Sequence, residues 1–177
     1  MGKLSREEFL EVYRHSTSHI LAKAVMEMFG KENVQIAIGP QIADGFYYDF
    51  ELPRALTEDD FKTIEDKMRE IMLRKEDWTR LVVSKKEALE MFKDQKFKIE
   101  LINDLPEDET ITVYKTGDDF MDLCSGPHIE NSQELLGVAY KVKSVSGAYW
   151  RGDEHNKMLT RIYGTAFMST LSLTRNS

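Results

Sequence analysis

The sequence predicts a single α+β domain in which a largely antiparallel sheet packs against a few helices. Strand-like stretches follow one another without the strict strand-helix-strand rhythm of a parallel sheet, and helical stretches interrupt them at only a few places. A chain of 177 residues with 41% hydrophobic content is long enough for one substantial core. Because no apolar run approaches the length of a membrane-spanning helix, no membrane partner is predicted.

Three helices are predicted where a capping box precedes apolar residues at helical spacing. They cover residues 5–29, 57–75 and 84–92. Gly30 ends the first of them, as glycine commonly does beyond a helix C-terminus. Residues 97–101 remain ambiguous between helix and strand, and residues 105–109 are predicted to form a polar loop.

Predicted strands are short, rich in β-branched and aromatic residues, and bounded by turn residues. They cover residues 34–38, 46–50, 80–83, 110–115, 120–123, 140–145, 148–151 and 158–167. Gly39 and Pro40 end the first strand, and Ala43-Asp44-Gly45 turns the chain back. The first two strands therefore form a β-hairpin with aromatic residues on both faces.

Two histidines, His15 and His19, lie four residues apart on the first predicted helix. On a helix this spacing places both imidazoles on one face, about 5–6 Å apart at Cβ. Ala22 and Met26 flank this face, and a separate apolar face that includes Ile20 lies nearly opposite. We therefore expect both faces to be buried and the histidines to line a cavity. For a random pair at this spacing, two polar residues on an exposed helix face would be the usual alternative.

A second cluster, Cys124-Ser125-Gly126-Pro127-His128, lies far along the chain. Together with the helical pair it supplies His15, His19, Cys124 and His128, a donor set that suits tetrahedral zinc. Ser16 stands where a zinc metalloprotease has its glutamate base, which argues against peptide hydrolysis by that route. Cys124 as a covalent nucleophile is possible, although a lone cysteine is more often structural or a ligand. Zinc-assisted and metal-free hydrolysis both remain open.

Composition excludes several other classes of function. The formal net charge of −7 argues against a free-standing nucleic-acid binder, because phosphate neutralisation supplies most non-specific affinity. A basic excess in residues 138–177 is best interpreted as a solvated face. The single cysteine excludes an internal disulfide, and the N-terminus lacks a signal-peptide pattern, so a cytoplasmic location is predicted.

The motifs of this chain resemble the editing domain in the N-terminal part of bacterial-type threonyl-tRNA synthetases. Related domains occur in alanyl-tRNA synthetases and in stand-alone alanyl-tRNA editing proteins. The motifs are the His-Ser-Thr-Ser-His run and the segments 38–40, 44–49, 122–128, 147–153 and 161–167. By this resemblance, residues 1–167 form a tRNA-editing domain and residues 168–177 a loose C-terminal tail.

The function that the resemblance implies is hydrolysis of serine wrongly esterified to threonine tRNA. Serine lacks one methyl group of threonine, and a synthetic site gains only about 1–3 kcal/mol of discrimination from that methyl, so a second hydrolytic sieve is needed. The implied partners are a tRNA acceptor end carrying serine and, in a full-length enzyme, the aminoacylation core. The chain would be an excised domain, a truncated product or a stand-alone editing factor, without ATP binding or tRNA charging.

The resemblance also implies roles for individual residues. Asp122 would accept the substrate's α-ammonium, and Lys98 would hold the ester carbonyl or the attacking water. Without the resemblance, Tyr48 would be read as a core residue, Asp122 as a solvated strand end and Lys98 as a snorkelling lysine. The implied catalytic residues are His15, His19, Lys98 and His128, with Tyr48, Asp122 and Cys124 binding substrate. Zinc is not required, but if bound it would be held by His15, His19, Cys124 and His128.

Two other classes of function stay in view. A zinc-dependent hydrolase, of the alanyl-tRNA editing type or acting on a small ester, would bind the metal tightly at the histidine and cysteine cluster. A non-catalytic module would bind a tRNA acceptor end without hydrolysing its ester. The candidate positions Lys98 and Asp122 argue against the module, since it has no need of a cation and a carboxylate in its pocket.

Overall fold

The computed structural model describes residues 5–169, which form four helices and eight strands. The helices are α1 (Arg6–Phe29), α2 (Glu58–Leu73), α3 (Lys85–Met91) and α4 (Lys96–Asn103). The strands are β1 (Gln35–Ile36), β2 (Gln41–Ile42), β3 (Gly45–Glu51), β4 (Trp78–Val83), β5 (Ile111–Thr116), β6 (Phe120–Leu123), β7 (Val138–Tyr149) and β8 (Met158–Met168). Short 3-10 turns occupy Lys31–Asn33, Ser132–Gly137 and Trp150–Gly152.

The strands form two antiparallel sheets. The larger sheet has the order β1-β3-β8-β7, with β2 also paired to β3, and the smaller has the order β4-β5-β6. The predicted α+β class and antiparallel pairing are confirmed, and the predicted hairpin is formed by β3 with β1 and β2. The strands predicted at 140–145 and 148–151 merge into one strand, β7, because Ser146 and Gly147, which the sequence pattern leaves between them, pair with β8. This strand ends at Tyr149, and the last two residues of the second predicted strand form a 3-10 turn instead. The register of β7 shifts between Val142 and Ser144, inside the first predicted strand.

Helix α1 runs through the main core. Its Ser5 cap accepts a hydrogen bond from the Glu8 amide, and it ends before Gly30, both as predicted. Every residue from Ser16 to Met26 is buried, because the helix packs against β3, β8 and α2. The expectation that both faces of this helix are buried is therefore confirmed, and polar side chains in this stretch must find partners inside the protein.

The ambiguous stretch 97–101 belongs to helix α4. Phe97, Lys98 and Ile102 are all buried on this helix. Beside it, the predicted strand 34–38 is reduced to the two residues of β1. The Gln95 side chain lies along the outer edge of this short strand, where it accepts from the Ile36 amide at 2.8 Å and donates to the Val34 carbonyl at 3.1 Å.

The predicted C-terminal tail falls almost entirely outside the described residues. Strand β8 extends to Met168, which pairs with Val138, and the Ser169 amide donates to the Gly137 carbonyl at 3.0 Å. The division at residue 167 stays a prediction. Within residues 5–169, no helix is long and apolar enough to cross a membrane.

Met68 on α2 offers a direct test of this core. Its side chain is fully buried beneath α1, and we expect Met68→Ala to lower the free energy of unfolding by about 2–5 kcal/mol because a cavity remains. Lys62→Ala on the same helix is the control, since that side chain is 82% exposed and the change should stay within about 0.5 kcal/mol. Urea unfolding measures both, and equal losses in the two variants would contradict the assigned packing.

Candidate functional site

The two sequence clusters meet in space beside α1. The ring centroids of His15 and His128 are 4.2 Å apart, those of His19 and His128 4.1 Å, and those of His15 and His19 5.3 Å. His15 and His19 come from α1, whereas His128 comes from the loop after β6, more than one hundred residues away in sequence. The fold therefore brings together the helical pair and the remote turn, as the sequence predicted.

Cys124 lies between two of these histidines. Its Sγ is 3.3 Å from Nε2 of His15 and 3.2 Å from Nε2 of His128, and the Gly126 amide donates to it at 3.2 Å. Nδ1 of His128 is 3.0 Å from the Ser16 hydroxyl, which also accepts from the Ile129 amide at 3.3 Å. Both nitrogens of His128 thus have a partner, and its ring is fixed in orientation.

Asp122, on β6, is the centre of a second and deeper cluster. Its side chain is only 4% exposed, and its Oδ1 lies 2.5 Å from Nζ of Lys98. Its Oδ2 accepts from the Tyr48 hydroxyl at 2.6 Å and lies 3.4 Å from Nε2 of His19. The carboxylate is therefore not a solvated strand end, and Lys98 does not snorkel to solvent. Tyr48 is a core residue by burial, but its hydroxyl contacts the site.

All seven residues predicted for the site lie in these two connected clusters. A cavity of about 160 Å³ opens beside them, with nine lining residues: His15, His19, Ile38, Gly39, Pro40, Lys98, Asp122, Leu123 and Cys124. A neighbouring cavity of about 220 Å³ shares His15 and continues along α1 past Glu11. Tyr48 and His128 stand behind the lining residues. His155, by contrast, is 85% exposed and lies outside the site, as the sequence indicated.

Burial controls the protonation of this site. It lowers the pKa of His15, and it lowers the pKa of His19 and His128 further because neighbouring imidazoles add to the effect. Burial raises the pKa of the Cys124 thiol to about 11, and burial together with Asp122 raises the pKa of Tyr48 well above its usual value. The three imidazoles are therefore neutral near pH 7. The thiol is protonated, which makes Cys124 a poor nucleophile.

The histidine and cysteine side chains can also serve as metal ligands. One donor atom from each of His15, His19, Cys124 and His128 lies within 4.8 Å of the others. Nδ1 of His19 is buried and has no hydrogen-bond partner among the described residues, so this nitrogen is available to bind a metal ion. A set of three imidazoles and one thiolate fits zinc, which takes four nitrogen and sulfur ligands in a tetrahedron.

Sequence reasoning missed three residues that shape the site. The Trp78 ring stacks on His19 at 5.6 Å and lies 5.0 Å from His128, while Tyr114 meets His128 edge-on at 4.6 Å. Ser16 orients His128, and its position between the two helical histidines was the one available signal. Trp78 and Tyr114 come from β4 and β5, and nothing in their local sequence marks them as neighbours of a histidine.

Part of the chain matches a known family. Residues 111–163 match the family described as "Threonyl and Alanyl tRNA synthetase second additional domain". This segment contains β5, β6, β7 and part of β8, and with them Asp122, Cys124 and His128. The fold, the two side-chain clusters and this match define the class: an α+β domain of the threonyl and alanyl tRNA synthetase type.

Full-length relatives narrow the assignment. The chain is 50% identical over 163 residues, 92% of its length, to the threonine–tRNA ligase of Borrelia hermsii, of which it covers 27%. It is 51% identical over 167 residues, 93% of its length, to the threonine–tRNA ligase of Thermotoga neapolitana, of which it covers 25%. The chain belongs with the corresponding segment of bacterial threonyl-tRNA synthetases, and it spans about a quarter of the length of these relatives. The family predicted from the motifs is confirmed.

Gly39 allows the pocket wall to pack directly on Tyr48. A Cβ atom at position 39 would lie 1.9 Å from Cδ2 of Tyr48, and the Gly39 carbonyl accepts from the Ser18 hydroxyl at 2.7 Å. We expect Gly39→Ala to lower the free energy of unfolding by about 1–3 kcal/mol through overpacking.

Gly147→Ala is the matched control, because its Cβ would meet only the flexible side chain of Met158. Urea unfolding compares the two variants. A loss in Gly39→Ala no larger than that in Gly147→Ala would show that the contact with Tyr48 does not fix this wall.

Proposed function

We propose that this domain performs post-transfer editing, hydrolysing the ester that links serine to threonine tRNA. The observation that supports it best is that a buried cation-carboxylate pair, Lys98 and Asp122, borders the same cavity as the neutral imidazole of His15. Ester hydrolysis needs a group that binds the amino acid, a group that stabilises the developing oxyanion and a group that accepts a proton from water. Membership of the threonyl-tRNA synthetase family makes a tRNA acceptor end the expected partner.

The ion pair suggests how substrate binding and catalysis are linked. Asp122 already contacts Lys98, Tyr48 and His19, so the α-ammonium of a bound serine competes with Lys98 for the carboxylate. A Lys98 ammonium released from this pair is free to hold the ester carbonyl or the attacking water. Because the site is shielded from solvent, the positive charge of Lys98 stabilises the tetrahedral transition state more strongly than it would in water.

The imidazole of His15 handles the proton in this proposal. His15 lines the cavity, so its ring can orient the water and accept its proton. His128 stands behind Cys124 with both ring nitrogens engaged, so it acts by holding Cys124 and His15 in place. His19 is stacked on Trp78 beside Asp122 and keeps the carboxylate in place. Cys124, as a neutral thiol, lines the pocket and binds substrate through contact instead of attacking the ester.

Substrate choice depends, in this proposal, on the walls of the cavity. Ile38, Pro40 and Leu123 provide apolar walls to a cavity of about 160 Å³, and the extra methyl group of threonine would crowd against them. An added methyl group in a filled pocket causes overpacking, which displaces the ester from its catalytic groups. A threonyl ester is therefore bound weakly or held away from the catalytic groups, and threonyl-tRNA is not hydrolysed.

Zinc is not required in the proposed reaction. Lys98 supplies the positive charge that a metal would otherwise provide. If zinc binds, His15, His19, Cys124 and His128 would hold it, and its chemistry would be to lower the pKa of a bound water. The close grouping of these four donors favours, as a second candidate, a zinc-dependent hydrolase of the alanyl-tRNA editing type or for small esters.

The proposal is tested by variants of the two key groups. His15→Ala removes a half-buried ring, so we expect an intact fold and a loss of seryl-tRNA deacylation of about 100-fold or more. Lys98→Ala should abolish deacylation too, but it leaves Asp122 as an uncompensated buried charge and should also destabilise the fold by about 3–5 kcal/mol.

Lys98→Met combined with Asp122→Asn is the matched variant, since it removes both charges and should recover stability without activity. Deacylation of seryl-tRNA and urea unfolding are measured on each protein. Wild-type rates in His15→Ala or in the neutralised pair would contradict the assigned roles.

Metal dependence is decided by chelation. We expect deacylation by the purified domain to persist after dialysis against a strong chelator, because Lys98 provides the catalytic charge. Inductively coupled plasma analysis of the dialysed protein checks that metal has been removed. Activity that disappears on chelation and returns with zinc would replace this proposal with the zinc-dependent candidate.

A further inference from the structure

The motif Gly147-Ala148-Tyr149-Trp150-Arg151-Gly152-Asp153 contributes no residue to the cavity, yet it lies against the helix that carries Lys98. It forms the end of β7 and the tip of the β7–β8 hairpin. Trp150 is buried at the tip, and Arg151 has φ of 57°, in the left-handed region, followed by Gly152 with φ of 70°. A non-glycine residue in this conformation is uncommon and persists where its surroundings favour it.

The tip packs on one face of α4. The rings of Phe97 and Trp150 are 5.0 Å apart, and Leu101 joins their cluster. The Trp150 indole donates to Oε2 of Glu100 at 3.0 Å, and the Arg151 guanidinium pairs with Asp104 and lies 3.6 Å from Oε1 of Glu100. Positions 97, 100, 101 and 104 follow helical spacing, so the hairpin tip contacts a single continuous face.

The other faces of α4 have different partners. Lys98 reaches Asp122, and Ile102 packs into the cluster formed with α3 and β5. The helix has only eight residues, and a helix this short is unstable without tertiary contacts. Its position, and therefore the position of Lys98, is set by what packs against it.

We infer that Trp150 and Arg151 are positioning residues, which hold α4 where Lys98 meets Asp122. The inference rests on the proposed hydrolytic function, in which Lys98 stabilises the transition state. A displacement of a catalytic group by about 1 Å can cost about 100-fold in rate, so a modest loosening of α4 should be visible in turnover.

Three substitutions test the contact from both sides. Trp150→Phe keeps a ring against Phe97 and removes the indole donor. Arg151→Asn removes the charge and tolerates the left-handed conformation, and Asp104→Asn removes its partner at the C-cap of α4. Lys62→Asn is the control, because it breaks an exposed ion pair with Asp66 on α2.

For seryl-tRNA deacylation we expect each of the three variants to lower kcat by about tenfold, with KM within about twofold, since the ester still binds but Lys98 is misplaced. Arg151→Lys should restore part of the rate, because it keeps the charge without the planar fork. Arg151→Asn combined with Asp104→Asn should be no worse than either alone, as expected for two ends of one contact. Lys62→Asn should leave kcat unchanged.

Amide hydrogen exchange provides a second measurement that does not depend on turnover. In Arg151→Asn and Trp150→Phe, residues 96–103 should exchange faster than in the wild type, while residues 58–73 of α2 remain as protected as before. Unchanged exchange in α4, or additive losses in the double variant, would overturn the inference. If Trp150→Phe fails to fold, the two surface variants decide the question. A wild-type domain without any deacylation would reject the proposed function instead, and exchange would still test the positioning contact.

Discussion

The burial of one carboxylate, that of Asp122, is the constraint on which the site depends. A carboxylate that is 4% exposed is stable only when cations and hydrogen-bond donors surround it. Lys98, Tyr48 and His19 meet this need, and they come from α4, β3 and α1. Satisfying a single charge on β6 therefore fixes three further elements around one cavity, and it also places the Lys98 cation at the wall of that cavity.

Helix α1 has a comparable role for the imidazoles. Its buried stretch contains Ser16, Ser18 and His19 as well as aliphatic residues, and each hydroxyl is used: Ser16 orients His128, and Ser18 bonds the Gly39 carbonyl in the pocket wall. The polar residues of the helix hold the loops of the site in place while its apolar residues build the core. The low exposure that stabilises the fold also lowers the pKa of His15 and His128, so both imidazoles are neutral near pH 7.

Much of this arrangement could be predicted from the sequence because the signals are local. Helical spacing placed His15 and His19 on one buried face, and capping boxes located α1, α2 and α3. The stretch 97–101 could not be assigned, because α4 has a partner on three sides and so shows no clean polar face. Other contacts join residues that are far apart in sequence, and such contacts leave no periodic pattern in the sequence. These are the contacts of Trp78 and Ser16 with His128 and the packing of the hairpin tip against α4.

The most direct test of the central claim is to offer the domain seryl-, threonyl- and alanyl-esters of tRNA side by side and to follow the loss of each. A small cavity with a buried Lys98–Asp122 pair, in a chain of the threonyl-tRNA synthetase family, predicts that the seryl ester is hydrolysed while the threonyl ester persists. Hydrolysis of the threonyl ester at an equal rate, preference for the alanyl ester, or survival of all three would contradict the account.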